Sequence, residues 1–305
     1  MIANQKKKKA FWDAKTISLY AIMIPALIYF IVYRYLPIGG LVMVFEKFRL
    51  ARGIWGSPWV GFENFIKLFQ TPTWPTILTN TVTISLLKLV IGFPAPIIVA
   101  LMLNEVKKRW FKRTLQTTLY LPHFLSWVIL GGLIFTLFGP TSGAFSKIYT
   151  SLTGKQLKWL IDSNQFIGLL VISDVWKEVG WNSIIYLAAL TSIDAQMYEA
   201  ALIDGASKRQ QLLFITLPTL IPTIMTMLIL RVGRVLNAGF EQIFVLQNSL
   251  VYNASEVIDT FVYKLAFAQG QHGMAAAAGL FKSVIGLILV LITNKIAASV
   301  DKEVL

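Results

Sequence analysis

Six apolar runs dominate this chain, at approximately Ile17–Tyr35, Ile77–Leu103, Leu115–Phe138, Phe166–Leu190, Leu213–Leu236 and Met274–Ile296. A helix crossing a bilayer takes about 20 mostly apolar residues, and each run meets that requirement. None alternates like a strand, and lipid offers backbone polar groups no partners, so each run is predicted to be a helix. Composition agrees. Hydrophobic residues make up 56% of the chain and charged residues only 14%, where a soluble domain has roughly a quarter charged. The predicted fold class is all-α, a polytopic membrane bundle of about six transmembrane helices. Residues 1–16 form a cytoplasmic N-terminal segment in this reading, 17–297 one transmembrane domain with a cytoplasmic loop at 192–212, and 298–305 a cytoplasmic tail. Lys6–Lys9 look like the basic start of a signal peptide, but the run after them contains Pro25 and no small-residue cleavage site follows. It reads as a retained anchor.

The formal charge is +13, from 28 Lys and Arg against 15 Asp and Glu. In a membrane protein such an excess first reports orientation, and no nucleic-acid partner is read from it. Lys6, Lys7, Lys8, Lys9, Lys15, Lys107, Lys108, Arg109, Lys112, Arg113, Lys208, Arg209, Lys295 and Lys302 all fall on one side. Lys47, Arg49, Arg52, Lys67, Lys147, Lys155, Lys158 and Lys264 fall on the other, spread over longer loops. Positive charge concentrates in the cytoplasm, so both termini are predicted to lie there. Cysteine is absent and His123 and His272 are the two histidines, which leaves little for thiol chemistry or a metal centre. Neither a phosphate-binding G-x-x-x-x-G-K-[ST] loop nor a hydrolase motif occurs. No catalytic, cofactor or metal residues are assigned, and energy for any pumping has to come from elsewhere.

One cytoplasmic loop stands out, Asp194-Ala-Gln-Met-Tyr-Glu199-Ala200-Ala201-Leu202-Ile203-Asp204-Gly205-Ala206. Asp194 is placed to cap a short helix and Gly205 to end it. Leu202, Ile203 and Ala206 give it an apolar knob too small to form a core, which marks a docking element. The stretch Glu199-Ala200-Ala201-x-x-Asp204-Gly205-Ala206, followed by Phe214-x-x-Leu217-Pro218 and Pro222, resembles the EAA loop of binding-protein-dependent ABC importer permeases. Gly61-Phe62-Glu63-Asn64-Phe65, Ala100-Leu-Met-Leu-Asn104-Glu105-Val106 and Leu119-Tyr-Leu-Pro122-His-Phe-Leu-Ser126-Trp127 resemble the polysaccharide-importer branch of the carbohydrate permeases.

That resemblance implies a type I permease of the maltose-permease kind in a bacterial cell membrane. It implies a second, homologous permease, two copies of a cytoplasmic ATPase that binds the ATP and Mg, and an extracytoplasmic solute-binding protein. Glu199, Ala200, Ala201, Asp204, Gly205 and Ala206 would couple the permease to the ATPase, and the cargo would be an oligosaccharide. Two alternatives stay open, another polar solute such as a glycerol phosphodiester or a peptide, and an ion-coupled secondary carrier.

Charges inside the apolar runs are the remaining signal, because each costs about 2.5–3.5 kcal/mol at a bilayer centre even on lenient scales. Thr81, Ser85, Lys88 and Gly92 share one helical stripe, Ala275, Gly279, Lys282 and Gly286 another, and Asp174, Lys177, Glu178 and Trp181 a third. Lys88, Asp174, Lys177, Glu178, Trp181 and Lys282 are therefore candidates to line a translocation cavity. The competing reading pairs Asp174 with Lys177 or Glu178 as glue between helices. Arg231 and Arg234 are expected to snorkel to the outer interface. Replacing Lys88 or Lys282 by Met is expected to spare insertion and reduce uptake.

Overall fold

A computed structural model describes residues 14–304, with side chains from 16 to 296; the Lys6–Lys9 run lies outside the described residues. Helix accounts for nearly all regular structure, and Glu46 and Trp59 form one isolated antiparallel bridge. Helix α1 (Ala14–Phe30) continues through tighter and wider turns to Phe45, giving an apolar helical run of 30 residues from Thr16. None of its most apolar window is buried within the chain, so its covering is lipid or another subunit.

The sequence motif at Gly61–Phe65 explains how this first span ends. Gly61 takes φ +59°, and helix α2 (Glu63–Gln70) starts two residues later. Asn64, buried, donates from Nδ2 to the carbonyls of Val44 and Glu46 at 2.8 and 2.9 Å. It thereby satisfies carbonyls left over where the first span stops.

Helices α3 (Trp74–Gly92) and α4 (Pro94–Glu105) form the second span, a run of 32 residues with Phe93 between them. The third run departs from expectation. It is not one helix over Leu115–Phe138 but α5 (Arg109–Tyr120), a tight turn at Leu121–Phe124 and α6 (Trp127–Phe138), bent by 102°. Pro122 lacks a donor for the helix ladder. Ser126 then caps α6, its hydroxyl accepting from the Ile129 amide at 3.3 Å.

Helix α7 (Ser163–Thr191) has 29 residues, about 43 Å at 1.5 Å per residue and longer than the hydrocarbon layer. It is not among the four helices apolar enough to count as spans by composition, because Asp174, Lys177 and Glu178 sit at its middle. It is nonetheless the central helix, packed on α3, α4, α5 and the fifth span. At Gly180 an added Cβ would lie 2.1 Å from the Leu119 carbonyl oxygen, so this crossing with α5 requires glycine.

Helix α8 (Ala195–Ile203) follows, and the fifth span runs from Lys208 through α9 (Leu217–Val232). It stops four residues short of the predicted Leu236, resuming as α10 (Phe240–Leu246) beyond a non-helical stretch that ends at Gly239, φ +97°. Helix α11 (Ile258–Tyr263) leads to α12 (His272–Val304), the last span. Three buried clusters hold the bundle: Ile84, Phe166, Leu170 and Ile243 in the first, Trp74, Ile77, Ile258 and Ala277 in the second. Ala100, Leu103, Tyr186, Leu190 and Leu220 make the third.

Candidate functional site

Two sites emerge, one in the loop 192–212 and one among the charged residues within the spans. In the loop, Asp194 caps α8, its carboxylate accepting from the Gln196 amide at 2.9 Å. At the other end Gly205 takes φ +77°. The Ala206 amide donates to the Ala201 carbonyl at 2.8 Å and the Gly205 amide to the Leu202 carbonyl at 3.1 Å. This paired closure uses up carbonyls that a helix end otherwise leaves open, and the positive φ favours glycine. Ser207 and Gln210 form a reciprocal capping box for the next helical turn. The Tyr198 hydroxyl meets Thr216 Oγ1 at 2.9 Å and anchors α8 against the foot of the fifth span. Glu199 is exposed, and Leu202 and Ile203 stand 67% and 86% exposed. An isolated nine-residue helix is marginal in water, so these local bonds are what set it.

At membrane depth, Lys88 is buried on α3, with its Nζ 3.2 Å from Asp174 Oδ1 on α7. It also donates to the Ala238 carbonyl at 2.8 Å and to Gln242 Oε1. Gln242 in turn donates to the Leu170 carbonyl and Ser173 Oγ, both at 2.8 Å. Lys88 thus satisfies a carbonyl freed where the fifth span breaks, as backbone irregularity in a membrane demands. An added Cβ on Gly239 would lie 2.7 Å from Lys88 Nζ. Asp174 reaches the other way to Arg231, Nη2 to Oδ2, at 3.8 Å.

Asp174 therefore pairs with Lys88 and Arg231 and not with its helix neighbours. Arg231 and Arg234 do not snorkel outward; with Lys88, Asp174 and Glu178 they line a cavity of about 470 Å³ beside the break. The helix ends at Val232, and the turn after it brings both arginines to the wall of this cavity. The expectation for Lys88→Met also changes. Met would strand the Ala238 carbonyl and Asp174, so loss of stability is expected and not neutrality.

Lys177, Trp181 and Lys282 are not among the residues lining that cavity. Lys177 Nζ donates to the His123 and Leu125 carbonyls at 2.6 and 2.9 Å, binding the bent turn before α6 to α7. Glu178 Oε2 lies 2.9 Å from His123 Nδ1, and the His123 ring stacks on Trp181 at 4.6 Å. One face of Trp181 is thus covered, and Tyr186, more than one turn further along α7, is buried in the third cluster. Lys282 pairs with Asp259 at 2.5 Å on a second cavity with Trp127 and Tyr263. Asn237 and Gly239, from the break, line both cavities.

A helical bundle with cavities lined by charged residue types at its middle and a short, locally capped helix with exposed Leu202 and Ile203 is the arrangement these residues build. The chain belongs to the family of binding-protein-dependent transport system inner membrane components, which matches residues 92–302. Over 285 residues it is 43% identical to protein LplB of Bacillus subtilis (strain 168), covering 93% of this chain and 90% of that protein. The polygalacturonan/rhamnogalacturonan transport system permease protein YteP of the same organism is 41% identical over 285 residues, with 93% and 89% covered. Among solved structures, a bacterial ABC transporter involved in the import of the acidic polysaccharide alginate is 37% identical with TM-score 0.86, over 93% of this chain and 96% of that one. A structure of the bacterial alginate transporter with an alginate pentasaccharide-bound periplasmic protein matches at 36% identity and TM-score 0.86, over 94% and 96%. The fold is that of an ABC importer permease, and the chain is a multi-pass membrane transport subunit. An ion-coupled carrier is excluded by that membership.

Proposed function

We propose that this permease takes up oligosaccharides handed over by an extracytoplasmic solute-binding protein, together with a second permease subunit and two cytoplasmic ATPase subunits that bind ATP and Mg. The observation that carries the reading is α8, fixed at both ends while Leu202 and Ile203 remain exposed. It acts as the coupling helix, with Glu199 making a polar contact in a groove of the ATPase. The permease and transporter named among the relatives handle polysaccharides, which supports a glycan cargo over a phosphodiester or peptide. Lys88, Asp174, Glu178 and Arg231 line the passage. Both termini lie in the cytoplasm, a reading that rests on the asymmetry of the loop lysines and arginines.

Glu199→Lys tests the coupling role, since it reverses a charge whose contact is worth roughly 1.5–3 kcal/mol. Uptake in proteoliposomes with binding protein and ATPase is expected to vanish while the permease remains inserted. Normal uptake with normal retention of the ATPase would refute the assignment. Topology has its own test: a cysteine at position 8 is expected to resist labelling from outside intact cells.

A further inference from the structure

We infer that Arg234 is a specificity residue that binds a carboxylate of the cargo, which makes the cargo an acidic, uronate-bearing oligosaccharide. This rests on the reading of the membrane-depth cavity as the cargo's passage. Five ionisable side chains line that cavity, the cations Lys88, Arg231 and Arg234 and the carboxylates Asp174 and Glu178. Both carboxylates are engaged. Asp174 holds Lys88 at 3.2 Å and Arg231 at 3.8 Å, and Glu178 meets His123 at 2.9 Å and Lys177 at 3.7 Å. Arg234 takes part in none of the ion pairs found among the described residues and is exposed.

Its position is set by the break. Its amide donates to the Arg231 carbonyl at 3.1 Å in the turn that ends the helix, and it shares the wall of one cavity with Lys88. Lys88 is fourteen residues into α3, about 21 Å from its outer end. A guanidinium at that depth is costly unless water or an anion meets it, and the protein's own acids are taken. Its planar fork fits a carboxylate through two parallel hydrogen bonds, which a lysine cannot copy. A second observation points to a ligand rich in hydroxyls. Ser85, 3% exposed, lines the same cavity, and its Oγ has no hydrogen-bond partner. Asn182 and Asn237 add neutral amides to the wall. The volume falls within the range of about 300–1,000 Å³ usual for small-ligand sites. Net positive charge, a spare guanidinium and unmet hydroxyl capacity together describe a site for a sugar acid.

The test is direct binding to the assembled importer in nanodiscs without the solute-binding protein, whose own selectivity would mask the effect. Saturation-transfer NMR would compare trigalacturonate with its carboxyl-reduced, neutral trisaccharide. The wild type is expected to prefer the acid by about ten- to hundredfold. Arg234→Gln is expected to bring the ratio to near one, and Arg234→Lys to leave an intermediate preference. Retention of the other subunits checks that each variant has assembled. Equal binding of both sugars by the wild type, or a preference that survives Arg234→Gln, overturns the inference but leaves the cavity as a passage. Loss of the second permease subunit in Arg234→Gln also overturns it, by assigning Arg234 to assembly. Binding of neither sugar overturns the passage reading as well.

Discussion

The short loop helix α8 and the cavity between the spans are built on opposite plans. Helix α8 owes its shape to residues within a dozen positions, from the Asp194 cap to the Gly205 turn. The cavity is assembled from side chains 86 to 154 positions apart, with Lys88 joining Asp174, Ala238 and Gln242. A locally encoded helix can be presented to a partner without a core behind it. A long-range charged network can form only when the bundle is already packed. Damage to the cavity should therefore affect assembly, and damage to α8 should affect coupling alone.

Asp174→Ala should produce the largest effect. It removes the carboxylate shared by Lys88 and Arg231, and breaking a buried pair from one side costs about 3–5 kcal/mol. The expected result is a marked fall in thermal stability and in yield of assembled importer. Asp174→Leu combined with Lys88→Met should recover part of that loss, because the buried lysine charge is removed together with its carboxylate; recovery stays partial, since Arg231 and the Ala238 carbonyl each still lose a partner. Wild-type stability in Asp174→Ala would break the contrast between the two regions.

Gly205→Val comes next. A β-branched residue at φ +77° costs about 1–3 kcal/mol of local strain, enough to unmake the turn after α8. Uptake should be lost while permease stability in the membrane is unchanged, as read by thermal unfolding of the solubilised subunit. Asp194→Ala should act in the same direction more weakly. A lost N-cap is worth about 1 kcal/mol, so a several-fold fall in coupled ATPase activity is expected, with insertion intact.

This division also explains what could be read without a structure. The short helix α8 was legible because Asp194 and Gly205 act on neighbours along the chain. The long apolar runs were legible for the same reason. The bend before α6 left local marks, Pro122 and Ser126, but both fit an ordinary kinked span just as well. Arg231 was misread because an arginine near a span's end normally reaches for water, whereas its partner Asp174 lies 57 positions away on α7. Gln242, which completes the Lys88 network, carries no sequence signal at all, since its partners lie on α3 and α7.

A third cluster sharpens the comparison, being local in sequence yet buried and charged. Outside the spans, Glu256 accepts from the Tyr252 hydroxyl at 2.7 Å and lies 3.0 Å from Lys264 Nζ, while Lys264 also contacts Tyr252 Oη. The Asn80 side chain ties this segment to α3 through the Glu256 carbonyl at 3.1 Å. Burial pushes the Glu256 carboxyl up to about 7 and the Lys264 amine down to about 8. For Glu256 the folded state binds the proton more tightly, so that stabilisation is full below the ordinary carboxyl range and is lost as pH rises through about 7. For Lys264 the folded state favours the neutral amine, so stability returns as pH climbs from about 8 toward the ordinary lysine range. The segment 252–264 should therefore be least protected near neutral pH. Hydrogen exchange, corrected for intrinsic rates, is expected to show slower opening at pH 5.5 than at 7.5. Glu256→Gln should abolish the difference, because the amide stays neutral at both pH values. The effect is confined to one segment between spans and should leave the stability of the bundle unmoved. A shift of the whole unfolding transition with pH, removed by Glu256→Gln, would instead place this cluster with the long-range network.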